Sequence, residues 1–562
     1  VKDAELATIA RLFLLRLFSV SMIAAVPVLL GISRPVEVLV SIEDSRGRAV
    51  EAVPVRVTRT GGRETRVFFS DRDGRVKFAL GGIDKRVDVV VAAGPDFSSS
   101  GCPVNPETGL NYAAVSFCGI DPAEAPNREV EAVLSTHTAT QQVCRLTGRG
   151  AATSPYEYEG QDSAITLPVF LRPVPSRVAD ILWWFGDTTT DATREIYVSN
   201  KMALSDGEAD PGRCPELTYV DLPSRGPLSV DPQRTREATV WLDVPLVRHR
   251  PGSRGEGLPN GSYGYDPEAS DRLLLAYLSV EDTQPFFKIT QIGLAEVSAC
   301  YPICGEDESN RQMATRVSTA TWDLPVEYGR APEGTAFLFD GEYTIVKVAP
   351  RRSYCRDDPD KVDCAGAGVS CPGGGECVEP GKFCSEPPHV VCSGDEACPA
   401  GSCRAGGVIA MRVSEDRILD KTAYRYWNAE TREFDKQSSK ESDALLVAES
   451  IGNSASIMWS GALERWLMIH NLEAPFFEGM RRVVLRTADS LLGPWGSAAT
   501  IMENVGGQKS YNPRFVPEYQ RGDLVYWTAT FDTMSEREPM RAAPFDYNVF
   551  LYETDVSSFK EP

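Results

Sequence analysis

From about residue 140 onward the sequence repeats one short unit: a strand of alternating apolar and polar residues, a tight turn, an aromatic-rich second strand, and a third strand. Five such units can be marked. The first holds residues 167–172, 179–186 and 195–200, and the second, after a long Pro/Arg/Gly-rich stretch, holds 272–279 and 288–298. The third holds 334–339, 342–349 and, beyond an interruption, 407–413. The fourth holds 454–460, 465–471 and 481–487, and the fifth 512–518, 523–531 and 548–554. Asp340-Gly341 and Ser460-Gly461-Ala462-Leu463-Glu464 are hairpin turn sequences. Long helical periodicity is nearly absent. A small antiparallel unit with two apolar faces cannot bury both by itself, so the units must stack on one another. Radial stacking predicts an all-β fold, a five-bladed β-propeller over residues 136–562, with a two-sheet jelly roll as the structural alternative.

Residues 36–135 have a different rhythm. Runs such as Val36-Glu37-Val38-Leu39-Val40 and Val53-Pro54-Val55-Arg56-Val57 alternate with period two, and turn clusters such as Asp71-Arg72-Asp73-Gly74 separate them. This pattern predicts a β-sandwich. The passage SDRDGRVKF resembles the turn-and-strand signature of carboxypeptidase-regulatory-like, immunoglobulin-type modules, so an immunoglobulin-like sandwich is expected before the propeller. Cys102 and Cys118 are expected to staple its later loop.

The first 35 residues read as a targeting segment. Lys2, Arg11 and Arg16 precede a mostly apolar run at 17–32, which at ~16 residues is short of the ~20 a spanning helix needs. A secretory signal is expected, with an uncleaved anchor as the alternative and the only membrane attachment. The expected location is extracellular, periplasmic or at the cell surface. The formal net charge of −21 argues against a nucleic-acid partner, because phosphate binding needs a basic face.

Strand geometry indicates where chemistry would gather. In an antiparallel hairpin the start of the first strand and the end of the second lie at one end, opposite the turn. Asp162 precedes the first strand of the first unit and Asp187 follows the second, so both are expected on one mouth of the propeller. Glu333 opens the third unit, Asn453 the fourth and Asn512 the fifth. His470 and Asn471 close the second strand of the fourth unit, and Asp532 that of the fifth. Glu281 and Asp282 join this ring if 272–279 is the second strand of its unit. Two or three carboxylates facing a funnel suit glycoside hydrolysis, in which one acid protonates the leaving oxygen and a second carboxylate attacks or activates water. Asp162, Asp187 and Glu333 are the candidate catalytic acids. Asp282, Asn453, His470, Asn512 and Asp532 are candidate substrate contacts. Trp184, with Trp183, Trp459 and Trp527, would offer a sugar-stacking face, or else fill space between blades. An Asp at a strand end is also a common turn former, and Glu333 sits in an Ala-Pro-Glu-Gly turn. No G-x-S-x-G elbow, H-E-x-x-H helix or phosphate-cradling loop occurs. Only four histidines occur (His137, His249, His389, His470), widely scattered, so neither a His-based metal site nor a cofactor is expected. A calcium ion in the funnel or the insert is compatible with the acids there.

Six passages together resemble the domain-of-unknown-function 4185 family, part of which is classed as glycoside hydrolase family 183. They are GQDSAITLPVFL…ILWWFGDTTT, AFLFDGEYTIV, VIAMRVSEDRILDKTAYRYWN, NSASIMWSGALERWLMIHN, LRTADSLLGPWG and YNPRFVPEY…LVYWTATF. The resemblance runs from about residue 140 to 556, excluding the cysteine-dense stretch. It implies a five-bladed propeller and, from characterised relatives, endo-acting hydrolysis of a furanose-containing polysaccharide such as D-arabinan. In NSASIMW this chain has Ser454 where many relatives are expected to have an acid. That departure favours the alternative reading, a non-catalytic propeller that binds glycan or protein at the cell surface.

The cysteines carry a separate constraint. Eight of fourteen (Cys355, Cys364, Cys371, Cys377, Cys384, Cys392, Cys398 and Cys403) fall within 49 residues, and their spacings are not the paired C-x2-C of zinc sites. The stretch 355–403 is rich in Gly, Pro and Asp and interrupts the third unit between its second and third strands. It reads as a disulfide-rich insert that has no apolar core to hold it otherwise. These eight cysteines are therefore expected to pair mostly among themselves. Peptide mapping under non-reducing conditions checks this, and bridges running chiefly to Cys102, Cys118 or Cys144 would contradict it.

Overall fold

The alternation that begins at Val36 has a direct structural result: Val38, Val40 and Ile42 face inward and are at most 1% exposed, while Glu37 faces solvent. The computed structural model describes the chain between residues 36 and 560, in its strands and the short turns joining them. Residues 1–35 and the longer connections, among them 92–114, 121–128, 152–159, 170–179, 220–238, 247–271, 299–313, 324–333, 356–376, 387–399, 436–444, 473–481 and 533–546, lie outside the described residues. So do Asp162 and Asp187. The secretory segment and the Cys102 and Cys118 side chains therefore fall where nothing is described. Among the described residues no helix is long and apolar enough to cross a membrane.

Contact density divides the chain into two units, one comprising Val1–Thr108 and Ala113–Ser135, the other chiefly Thr136–Pro562. Among the described residues the first unit has seven strands: β1 (Val36–Asp44), β2 (Pro54–Arg59), β3 (Thr65–Phe69), β4 (Arg75–Leu80), β5 (Val87–Val91), β6 (Val115–Ile120) and β7 (Glu129–Leu134). They form a three-stranded sheet, β4-β1-β7, and a four-stranded sheet, β3-β2-β5-β6. Phe68 of one sheet stacks on Phe78 of the other at 5.4 Å, and both sheets contribute buried valines to the space between them. The turn in SDRDG is built as its residues require. Asp71 Oδ1 accepts from the amides of Asp73 and Arg75, and Gly74 has φ +68°, where an added Cβ would lie 2.2 Å from the Ile42 carbonyl oxygen.

The second unit opens with β8 (Thr140–Arg145) and β9 (Gly160–Gln161). A first meander follows: β10 (Ala164–Val169), β11 (Asp180–Phe185), β12 (Thr188–Thr189), β13 (Tyr197–Val198), β14 (Lys201–Ser205) and β15 (Thr218–Tyr219). Its main sheet is β10-β11-β14-β15, while β13-β12-β9 form a small separate sheet. The third strand expected at 195–200 is thus two structures: Tyr197–Val198 turns away to the small sheet, and Lys201–Ser205 takes the ladder position on β11. Next come β16 (Thr239–Leu246), β17 (Arg272–Thr283), β18 (Phe286–Ser298) and β19 (Ala314–Asp323), then β20 (Thr335–Phe339) and β21 (Glu342–Ala349). Within the cysteine-dense stretch, β22 (Tyr354–Cys355) pairs β23 (Cys377–Val378), and β24 (Lys382–Glu386) pairs β25 (Ala400–Ala405). The pairing of those cysteines lies outside the described residues. The ladder on β21 resumes at β26 (Gly407–Ser414), followed by β27 (Arg425–Asn428), β28 (Glu433–Asp435) and β29 (Leu445–Val447). The last meanders are β30 (Ile451–Ser460), β31 (Arg465–Leu472), β32 (Arg482–Ala488) and β33 (Ala499–Glu503), then β34 (Lys509–Phe515), β35 (Leu524–Asp532) and β36 (Asn548–Asp555).

Packing of these sheets is propeller-like. Their first strands touch in cyclic order: β10 lies against β16, β16 against β20, β20 against β30, β30 against β34, and β34 against β10. β16 and β20 pair in parallel, and Ser456 and Ser460 of β30 bond in turn to Phe515 and Gln520 on the β34 side. The final sheet is completed from the other end of the unit, because β8 supplies its fourth strand by pairing with β36. Thr140 and Thr554 share a buried hydroxyl hydrogen bond at 2.7 Å, and Leu146 N–H continues the ladder to the Val549 carbonyl. Cys144 of β8 is disulfide-bonded to Cys214, in the first meander between β14 and β15. The clasp therefore crosses from the last sheet to the first.

Replacing Cys144 and Cys214 together by Ser should lower unfolding stability by up to about 4 kcal/mol, the loop-closure value for cross-links this far apart. Denaturant midpoints of parent and double variant, measured with and without reductant, check this. The parent should approach the variant only when reduced.

Candidate functional site

Five second strands return to the end at which the first strands begin. In the first meander Ala164 pairs Phe185, in the second Thr239 pairs Val280, and in the third Thr335 pairs Val346. In the fourth Ala455 pairs His470, and in the fifth Lys509 pairs Asp532. Arg272–Thr283 is the second strand of its sheet, with Thr239–Leu246 as the first, so Asp282 lies on the strand end that this geometry directs here. The side chains of Asp282, Asn453 and Asp532, like Glu333, lie outside the described residues. Gly334, which follows Glu333, is described. Its φ is +140°, and an added Cβ would lie 2.3 Å from the Val346 carbonyl oxygen and 2.8 Å from Lys347 Cβ. The chain can enter β20 at this distance from β21 only through glycine.

Two candidates drawn from the sequence are buried side chains. Trp184 is 1% exposed, and Trp183 beside it is fully buried with Nε1–H donating to Ser205 Oγ at 2.7 Å. Both indoles are buried within the stack. His470 is also fully buried. Its Nε2 accepts from Arg486 Nε at 3.1 Å and its Nδ1 meets the Asn471 carbonyl oxygen at 3.1 Å. With both ring nitrogens hydrogen-bonded, His470 holds Arg486 in place. Arg486 also donates to the Gly496 carbonyl, and burial pushes its guanidinium down to about 10.

Units four and five do meet at this end. Asn471 Nδ2 donates to the Ser510 carbonyl at 2.6 Å, two residues before Asn512. Asn512 is half-buried, with φ +51° inside the β-bulge between Tyr511 and Arg514. Asparagine tolerates that left-handed conformation better than most residues, and the bulge re-aims the strand at its start. Three buried cations also lie on these strands: Lys201 opposite Phe185, Lys347 beside Gly334, and Arg514 with Nη1 donating to the Ala455 carbonyl.

A network that sequence reasoning missed occupies the first meander. Gln161 is fully buried; its Oε1 accepts from Tyr219 Oη–H at 2.6 Å, and its Nε2 donates to Thr188 Oγ1 at 3.1 Å. Its backbone N–H donates to the Tyr547 carbonyl at 2.8 Å. Tyr219 also stacks on Phe185 at 6.1 Å. Gln161 was legible as the polar neighbour of Asp162, but Tyr219 sits in a two-residue strand with no periodicity to mark it.

At the other end of β34, Glu518 accepts from Thr166 Oγ1 at 2.9 Å, and enclosure by protein pushes its carboxyl above the ordinary glutamate value. Among the described residues no three His, Cys, Asp or Glu side chains gather closely enough to hold a metal ion.

The described sheets and their pairing define an all-β, propeller-like protein. Residues 397–553 match the family model described as "Domain of unknown function (DUF4185)", and the resemblance read from the sequence stands over that segment. No curated protein matches the chain. Among solved structures, a Bacteroides ovatus ATCC 8483 protein provisionally assigned as a hydrolase aligns at 13% identity with a TM-score of 0.39, covering 71% of this chain and 87% of that one. A GH43_1 enzyme from Xanthomonas citri complexed with xylotriose aligns at 10% identity and TM-score 0.34, covering 74% and 89%. A B. subtilis levansucrase variant aligns at 10% identity and TM-score 0.36, covering 73% and 84%.

A carboxyl raised in the folded state contributes stability at low pH that is lost as pH rises through its folded value. Glu518→Gln keeps an acceptor for Thr166 without the charge. From about pH 4 up through the folded value of this carboxyl the parent's unfolding midpoint should therefore fall relative to the variant's, as urea titrations at several pH values would show.

Proposed function

We propose that this chain is a five-bladed propeller glycoside hydrolase, endo-acting on a furanose-containing polysaccharide such as D-arabinan. The observation that carries this reading is a shared register. Ala164–Val169 pairs with Asp180–Phe185, and Gly160–Gln161 pairs with Thr188–Thr189 in continuation of the same alignment. These two paired segments flank positions 162 and 187. The proposal puts the Asp162 and Asp187 carboxyls opposite one another across that hairpin, at the end where the other first strands begin. One would protonate the departing glycosidic oxygen, and the other would attack the anomeric carbon or deprotonate water. A separation near 5 Å implies retention, and about 6.5–9.5 Å leaves room for water and implies inversion. Glu333 is the third carboxyl in the proposal, with Asp282, Asn453, Asn512 and Asp532 as substrate contacts.

The Cys144–Cys214 disulfide favours an oxidising location outside the cytoplasm, where polymeric glycans are met. The unit at residues 36–135 would be an immunoglobulin-type spacer or docking module, and 355–403 a disulfide-held projection. A second reading, a glycan-binding propeller without catalysis, is favoured by Ser454 on the first strand of the fourth meander.

Incubation of the protein with arabinans, galactans and fructans, with products read by mass, tests the proposal. Asp162→Asn and Asp187→Asn should each keep the fold and lower turnover by orders of magnitude, since the amide preserves shape and removes charge. Near-normal activity in both variants would sink the assignment of these residues. Glycan binding with no cleavage by the parent would establish the binding reading instead.

A further inference from the structure

We infer that Tyr219, Gln161 and Thr188 form a positioning clamp that sets the spacing of the two hairpin limbs bearing Asp162 and Asp187; this rests on the hydrolase reading above. One side chain, Tyr219, reaches both limbs. Its ring stacks on Phe185, the last residue of β11, two positions before Asp187. Its hydroxyl donates to the side chain of Gln161, the residue immediately before Asp162. Gln161 then closes the circuit, because its amide nitrogen donates to Thr188 Oγ1, one position after Asp187. Thr188 Oγ1 in turn lies 3.4 Å from the Gly186 carbonyl, one position before Asp187. Both chains that leave β10 and β11 are thus tied to each other by side chains as well as by the β9–β12 ladder.

The tie is buried and anchored from outside. Gln161 and Thr188 are fully buried, and Tyr219 is 7% exposed. The Gln161 backbone N–H bonds to the Tyr547 carbonyl, just before β36, so the clamp is referenced to the final sheet as well. Lys201, buried and opposite Phe185, is the charged group that the next strand brings to this end. A two-residue strand pair has little ladder of its own, so its register depends on these side chains. An acid pair needs a fixed separation for its division of labour, and displacement of about 1 Å can cost on the order of a hundredfold in rate. A clamp that touches neither substrate nor reacting atoms would act through that separation alone.

Tyr219→Phe removes the hydroxyl and leaves the ring on Phe185. Thr188→Val removes the acceptor for Gln161, and Thr188→Ser restores it. On a glycan that the parent cleaves, Tyr219→Phe and Thr188→Val should lower kcat by at least about tenfold, with KM changed by less than about threefold. The alkaline limb of the pH–rate profile should move to lower pH, because two carboxyls held apart repel less and the proton on the acid is released more easily. Thr188→Ser should recover both readouts. A readout free of cleavage is the titration of aspartates labelled with carbon-13 at Cγ, assigned with the Asp→Asn variants. The parent should show split values for Asp162 and Asp187, and Tyr219→Phe should narrow the split. A parent without splitting, or folded variants in which splitting and pH profile both stay unchanged, would overturn the inference. A narrowed split in a protein that cleaves no glycan would support the clamp and defeat the hydrolase reading.

Discussion

Closure of the second unit by strand β8 is the interaction on which its other parts depend. A meander of four strands has two apolar faces and an inner edge, and it is stable only when a neighbour covers them. In a row of such sheets the first and the last would each keep an uncovered face. Here the chain enters at Thr140–Arg145 as the outer strand of the last sheet and only then builds the first. The two ends of the series are thereby one segment of chain, and Cys144–Cys214 makes the join covalent. The cyclic contact of the first strands follows from that join, as does the gathering of their starting ends.

The seams between sheets use different physics. Between the third and fourth meanders the contact is aromatic and aliphatic, with Phe337 against Trp466 at 4.9 Å and Val346, Val408 and Met468 around them. Between the fourth and fifth it is largely polar. Ser456 accepts from Phe515 N–H, Asn471 donates to the Ser510 carbonyl, and Gln520 donates to Ser460. A strand at the inner edge of its sheet has main-chain groups without a ladder partner, and buried groups of that kind must be satisfied from elsewhere. Side chains of the next sheet meet part of that need. Asn471, near a strand end, is one such residue, since its amide crosses to the next sheet.

The burial of charge near this end bears on the proposed chemistry. Lys201, Lys347 and Arg514 are all less than 5% exposed. Buried cations favour the ionised form of any carboxyl nearby, whereas enclosure favours the neutral form, as at Glu518. An acid pair set among such groups would have its two members driven apart in proton affinity, which is what division into proton donor and nucleophile or base requires.

Much of the fold was legible in the sequence because strand alternation and turn chemistry are local. The period-two runs at 36–44 and 54–59, the Asp-Gly hairpin before β21, and the apolar strands of the last two meanders all follow from side chains within a few residues of one another. The cysteine-dense stretch was recognisable as an interruption because β21 and β26 pair across it in unbroken register. The place of Asp282 depends on whether Arg272–Thr283 is a second strand, which its pairing with Thr239–Leu246 decides. What the sequence by itself determined was much of the strand content, the recurrence of meanders, and which ends of the paired strands lie together. Only the tertiary structure decided that β8 belongs to the last sheet, that Cys144 meets Cys214, that Trp184 and His470 are interior, and that Tyr219 joins the two limbs around Asp162 and Asp187. Those four outcomes depend on residues tens to hundreds of positions apart, and no local propensity carries information about which distant face will cover a given side chain.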